Sequence, residues 1–336
     1  MYDYALPRER IAQAPATPRD SAKLLVYKRK TGETVWSTIR NLPRLLPKRC
    51  VLVLNETKVI PARLHLTKET GGKISILFVG MNRKELHVLA NRKIAVGDVL
   101  TLTPRRTFTV IGKQAGVWSL RPSFPIHAFR MILDRHGVMP LPPYINRTPL
   151  SESQLRRRYQ TVFARTAGSI AAPTASLHLT KALLKKLERA GITIARVTLH
   201  VHLGTFAPLT EEQWRSGKLH QESYSIDSRT VRLLEQAKRT GRPIIAVGTT
   251  VARTLESAAD ARGRLVHPQG VTRLFIREGY RFRSIDGLMT NFHVPKSSLL
   301  MLVGALMGRE KLLNLYRQAI ERDLRFFSFG DAMLIL

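Results

Sequence analysis

Between residue 59 and about 117 the chain alternates between short runs and turns. Runs of five to eight residues at 62–68, 73–79, 85–89, 99–104, 107–111 and 116–120 are broken by Gly71–Gly72, Asn82 and Gly97–Asp98. Many short, evenly spaced runs of this kind predict an antiparallel barrel or sandwich. The all-β stretch is expected to end near MPLPPY at 139–144. Outside it the pattern changes. CVLVLN at 50–55 is one apolar run closed by a polar residue. Such a run predicts a strand buried on both faces, with any site at its carboxyl end. KALLKKLERA at 181–190 has helical spacing and stops at Gly191; the helix at 228–240 stops at Gly241. Strands are predicted at 23–27, 35–39, 192–201, 243–247 and 273–276. Further helices are predicted at 9–14, from Gly248 through 259, at 296–307 and at 310–322. The flanking texture is α/β.

Composition narrows the class. Hydrophobic residues make up 44% of 336, which excludes a disordered polybasic chain. The one cysteine, Cys50, excludes an internal disulfide framework and a cysteine-based zinc site. No apolar run reaches the ~18 residues of a spanning helix, and residues 1–10 lack the apolar core of a signal peptide. A cytoplasmic protein with no membrane partner is expected.

Charge changes the picture more. Lys and Arg total 55 against 24 Asp and Glu, a formal net charge of +31. Arginine supplies 38 of the 55. The excess is spread along the chain, with 15 basic and 5 acidic residues in 51–150. Arg-rich surfaces suit phosphate, so a polyanion partner, most naturally nucleic acid, competes with a lineage bias toward arginine.

Five constellations could carry chemistry. IIAVGTTVARTL at 244–255 places two hydroxyls and a helix N-terminus at a strand's carboxyl end, suited to an anion or equally to a plain helix start. It lacks the lysine of a P-loop and the three glycines of a dinucleotide fingerprint. His200 and His202 share a strand face and, with His178 and His293, outline a metal site, but no acidic ligand stands near the pair. AAPTASLHL at 171–179 joins small residues to hydroxyls and His178; it is a ligand loop or merely a tight turn. TNFHVPKSS at 290–298 groups Asn291, His293 and Lys296, which can read a base edge or a ribose. RFFSFGD at 325–331 offers three aromatics beside Arg325, for base stacking or for a core strand.

Long ordered segments then carry a resemblance. They are YDYALPRERIAQAP and PRDSAKLLV at the start, VLVLNETKVIPARL at 51–64, MPLPPYINR at 139–147 and RYQTVFA at 158–164. Next come AAPTASLHLT at 171–180, VTLHVHLGTFAPL at 197–209 and AVGTTVARTLES at 246–257. GYRFRSIDGLMTNFHVPKSSLLML at 279–302 and FFSFGDAM at 326–333 complete the series. Together they resemble the S-adenosylmethionine:tRNA ribosyltransferase-isomerases of queuosine biosynthesis. The resemblance implies an α/β main domain (1–59 and 148–336) interrupted by a small antiparallel β-barrel domain (60–147). It implies transfer of the ribosyl group of S-adenosylmethionine, a consumed cosubstrate, to 7-aminomethyl-7-deazaguanine at the wobble position of a tRNA with a GUN anticodon. Adenine and methionine leave and epoxyqueuosine remains; no metal is called for, and a monomer is expected.

On this resemblance His178 and His293 are the expected acid–base groups, with Asn291 orienting adenine or ribose. Thr249, Thr250 and Arg253 are expected to hold the methionine carboxylate or a phosphate. Glu222, or else Asp331, is expected to engage the aminomethyl ammonium of the base. Thr174, His200 and Lys296 complete the expected binding set. The chain departs from the family pattern at Ser176 and Leu179, where glycine and phenylalanine are usual, and at His202, where glycine is usual. Those departures leave a non-catalytic tRNA-binding relative as the alternative, and a metal-dependent hydrolase built on His200 and His202 as a third reading.

Overall fold

The computed structural model describes residues 2–201 and 209–336, so His202 lies outside the described residues. In chain order the strands are β1 (Lys23–Tyr27), β2 (Thr34–Thr38), β3 (Val51–Asn55), β4 (Thr57–Val59), β5 (Arg63–Lys68), β6 (Lys73–Met81), β7 (Leu86–Ala90), β8 (Val99–Thr103) and β9 (Arg106–Gln114). They continue with β10 (Val117–Pro122), β11 (Thr166–Ser169), β12 (Thr193–Leu199), β13 (Lys218–Ser225), β14 (Ile244–Val247), β15 (Gln269–Leu274), β16 (Gly287–Asn291) and β17 (Ala332–Ile335). The helices are α1 (Leu42–Leu45), α2 (Phe129–His136), α3 (Glu152–Arg158), α4 (Lys181–Arg189), α5 (Glu211–Ser216), α6 (Ser228–Arg239), α7 (Thr249–Ala258), α8 (Ser298–Met307) and α9 (Arg309–Glu321). None of the described helices is long and apolar enough to cross a membrane.

The chain forms two compact units. The smaller comprises Val59–Leu141 and Ser151–Arg157. Its six strands close into an antiparallel barrel in the order β10-β7-β6-β5-β8-β9. Alternation sets the inside: on β5, Leu64 and Leu66 are buried opposite Ile76 and Ile74 of β6, while His65 and Thr67 face out. The unit also contains α2, which the alternating pattern does not announce; its Phe129 packs on Phe78 and Phe108 at ring distances of 5.1 and 6.2 Å.

The larger unit holds a nine-stranded mixed sheet in the order β15-β13-β12-β3-β14-β16-β17-β1-β2. Strands β12, β3, β14 and β16 run parallel. Strands β3, β14, β16 and β17 are buried along their whole length, as covered faces require. Side-chain alternation divides them between two cores. Val51, Val53, Ile244 and Ala246 join one core with residues of α6, α7, α8 and α9. Leu52, Leu54, Ile245 and Val247 join the other with residues of α1 and α4. The fold is therefore an α/β unit with a β-barrel, as the sequence and the resemblance indicate. Three local expectations fail. The helix expected at 9–14 is a single 3-10 turn at Arg8–Arg10, closed off by Ile11, which bridges to Phe326. The segment at 325–331 is a turn rather than a core strand, and the strand expected at 273–276 is β15, displaced toward the amino end.

Helix starts are set locally. Thr180, Asp227 and Ser297 each accept a hydrogen bond from a first-turn amide, those of Leu183, Thr230 and Leu300. At the β14–α7 junction Gly248 has φ +94°, a conformation that L side chains rarely adopt. A direct turn from strand into helix needs it.

Candidate active site

Asn55, the polar residue that closes β3, ties the sheet's carboxyl edge together. Its Nδ2 donates to the Leu199 carbonyl at 3.0 Å and to the Thr250 hydroxyl at 3.4 Å. Its Oδ1 accepts from the amides of Thr57 and Leu199, each at 3.1 Å. The ends of β3, β12 and the start of α7 are thus fixed to one another by one side chain that is fully buried.

Beside this edge lies a narrow cleft. Thr174 and Ala175, Gly248 to Thr250, Thr290 to Val294, Phe327, Ser328 and Tyr144 line it. The structure therefore gathers Thr174, Thr249, Thr250, Asn291 and His293 from three sequence segments into one wall. The same position, at the carboxyl ends of parallel strands, is where open α/β sheets bind ligands.

Asn291 is fixed in one orientation. Its Nδ2 donates to the Phe327 carbonyl at 2.7 Å and the Ser328 carbonyl at 3.3 Å. Its Oδ1 is left buried with no partner other than His178. A buried acceptor short of donors is costly unless a ligand completes it. His293 hydrogen-bonds through Nε2 to the Thr290 hydroxyl at 2.8 Å. Its backbone is clamped from both sides: its amide donates to Tyr316 Oη at 2.9 Å, and Tyr4 donates to its carbonyl. Burial pushes the His293 imidazole down to about 3, so the ring is neutral at pH 7.

His178 sits outside the cleft lining, in the turn that follows Thr174. Burial is the main cause that pushes its imidazole down to about 4, against the opposing influence of Asp331 and Asn291. Asn291 is its polar neighbour, and a side-chain hydrogen bond to Asn291 opposes that fall, while His178 Nε2 and Asn291 Oδ1 have no other partner.

The other expected residues stand elsewhere. Asp331 accepts from the amides of Lys23 at 2.8 Å and Arg325 at 2.7 Å, so its carboxylate holds the 325–331 turn. Glu222 and Arg253 pair with each other, buried and outside the cleft lining; Arg253 Nε also donates to the Leu274 carbonyl at 3.1 Å. Lys296 pairs with Asp3 at 3.1 Å on the surface. His200 bonds to the Thr57 hydroxyl at 2.8 Å, its ring against Gly168. Among the described residues no group of three or more His, Cys, Asp or Glu side chains converges as a metal site. Of the aromatics at 326–329, Phe326 and Phe329 are core, and only Phe327 lines the cleft. Leu179 is also core, packed with Leu183 and Leu187 rather than facing a ligand.

Sequence reasoning missed Tyr144 and Thr290. The Tyr144 hydroxyl bonds to Ser328 at 2.7 Å and its ring lies 4.8 Å from that of Phe327. The signal was present in MPLPPYINR, where an aromatic follows two prolines that fix the backbone.

An α/β unit with a cleft at its parallel strand ends, carried on one chain with a closed β-barrel, is the class that these features define. Comparison with known proteins narrows it. The family model described as queuosine biosynthesis protein matches residues 1–335. The chain is 47% identical over 338 residues to an S-adenosylmethionine:tRNA ribosyltransferase-isomerase of Carboxydothermus hydrogenoformans, covering 100% of this chain and 98% of that one. It is 45% identical over 337 residues to the protein of the same name in Rubrobacter xylanophilus, covering 99% and 96%. A crystal structure of S-adenosylmethionine tRNA ribosyltransferase from Thermotoga maritima aligns over 100% of this chain and 99% of its own, at 32% identity and a TM-score of 0.57. The chain belongs to the queuosine biosynthesis protein family.

Proposed function

We propose that the protein moves the ribosyl group of S-adenosylmethionine onto 7-aminomethyl-7-deazaguanine at the wobble position of a tRNA. Adenine and methionine are released and epoxyqueuosine is left in the RNA. The observation that carries this reading is the cleft, where AAPT, GTT, TNFHV and FFS, separate segments of the resemblance, meet in one wall.

The residues present fit the cosubstrate. Thr249 and Thr250 offer hydroxyls at the start of a ten-residue helix, suited to a carboxylate. The buried Oδ1 of Asn291, beside His178, suits an amino-group donor such as adenine's. Bound S-adenosylmethionine supplies a sulfonium that acidifies the ribose C5′ hydrogens and makes methionine a leaving group. The chain's share is then to position two reactants and to accept a proton. Neutral His293, with Thr290 on its Nε2, is the imidazole of the cleft wall, a weak base because burial disfavours its protonated form. His178 acts one layer behind, against Asn291. Arg253, already paired with Glu222, has no part in carboxylate binding in this reading.

The reading brings with it a tRNA with a GUN anticodon, a monomeric chain and a cytoplasmic setting. Its test is adenine release. The protein, S-adenosylmethionine and an anticodon stem-loop carrying the aminomethyl-deazaguanine should yield adenine and epoxyqueuosine. Tight RNA binding with no adenine would overturn the reading in favour of a non-catalytic relative.

A further inference from the structure

One exposed aromatic assembly belongs to none of the features above. Strand β13 runs antiparallel to β12, with Leu199 opposite Tyr224. Its first residues therefore project past the carboxyl end of β12, on the side where Val201 lines the cleft. Strand β15 follows it out, with Leu274 opposite Lys218. At this projecting tip stands α5, carrying Trp214 half exposed.

The tip is built rather than loose. A capping box between Thr210 and Gln213 starts α5, and Gly217, at φ +65°, ends it in a left-handed turn. The Trp214 ring packs edge-on against Phe275 at 6.0 Å. The Arg277 guanidinium lies 5.7 Å from the Trp214 ring centre and 5.6 Å from that of Phe275. Arg277 Nη1 also donates to the Trp214 carbonyl at 3.4 Å, which holds the cation against the rings. Arg215, Lys218, Arg273, Arg281 and Arg283 are exposed nearby in sequence, against Glu211, Glu212 and Glu278. A half-exposed indole fixed beside a guanidinium, with cations around it, has the composition of a single-stranded RNA platform: flat faces for bases and positive charge for phosphates.

We infer that Trp214 and Arg277 form a stacking platform for an unpaired nucleotide of the RNA substrate. This rests on the proposed tRNA activity. It adds a docking surface that neither the cleft nor the barrel supplies. An unpaired base is the chosen occupant because both faces on offer are planar and the local charge is positive; an acidic protein segment would use the charge but not the indole.

The test measures affinity for the modified anticodon stem-loop, and separately for S-adenosylmethionine, with Trp214→Ala, Trp214→Phe and Arg277→Gln. Loss of one stacked base should weaken RNA binding roughly tenfold in Trp214→Ala. Phenylalanine should recover most of the affinity. Arg277→Gln, which takes the guanidinium off the rings, should weaken RNA binding as well, by severalfold. Affinity for S-adenosylmethionine should hold in all three. RNA affinity within twofold of the unaltered protein in both Trp214→Ala and Arg277→Gln overturns the platform. So does a parallel loss of both affinities, which would mark the cluster as structural. A charge-only effect, with Arg277→Gln weakened and Trp214→Ala unchanged, also overturns it and points to an acidic partner. Failure of the unaltered protein to release adenine would defeat the functional reading instead, so the two failures are distinct.

Discussion

The barrel and the sheet-bearing unit solve burial in opposite ways. The barrel interior is apolar, with Leu64, Ile76, Val88, Leu100, Phe108 and Leu120 turned inward. Among the described residues every buried polar or charged side chain lies in the larger unit. Asn55, His178, Glu222, Arg253, Glu256, Asn291, His293 and Asp331 are all there. Burying polar groups is costly unless they are paired. The concentration of that cost in one unit, some of it left short of partners at Asn291 and His178, marks where ligand chemistry belongs. The barrel keeps its many cations outside and carries no such cost.

The contrast can be tested from its strongest point downward. Glu222→Ala strips Arg253 of its ion-pair partner inside the larger unit and should cost about 3–5 kcal/mol. Ile76→Val in the barrel core should cost only about 0.5–1.5 kcal/mol. Urea unfolding of the two variants would measure both; equal losses would erase the distinction. Next, His293→Ala should lower turnover by ~10²-fold or more if the ring accepts a proton. Adenine release under saturating substrates checks this, and a loss below threefold would remove His293 from the chemistry.

The last test is in pH. His178 and His293 hold neutral rings in the folded protein, at about 4 and about 3, against 6.5 ordinarily. The unfolded chain therefore binds more protons than the folded one at mildly acid pH. Stability should be full above about pH 6.5 and fall as pH drops from there toward the folded values. Melting curves across that window should show the decline, and His293→Gln should flatten it. A slope unchanged in His293→Gln would assign the acid loss to other groups.

The two regions also differ in how much of them the sequence discloses. All six barrel strands follow from short, evenly spaced runs broken by turn residues, because antiparallel neighbours are joined by tight local turns. In the larger unit the amphipathic helices α4 and α6 are equally plain. Strands β16 and β17 are not, since GLMTN and AMLI are short and buried on both faces, and so carry no alternation. Polar β13, KLHQESYS, is hidden for the opposite reason. At the site, the segments TNFHV and AVGTT were legible as clusters of chemistry. Which members face the cleft was not. Arg253 and Thr250 lie three apart on α7, yet one lines the cleft and the other meets Glu222, a residue distant in sequence.

The sheet's strand order sets a schedule for synthesis. Strands β1 and β2 form a hairpin near the start of the sequence, yet β1 joins the sheet only through β17, where Leu24 faces Ala332. As the ribosome works from the amino end, that hairpin waits until the last strand of the sheet has been made. Until then Leu25 and Val26, both buried in the finished fold, have one edge open to any other strand. A partly made chain is therefore stickier than a finished one, and completion of the sheet is also the end of that exposure.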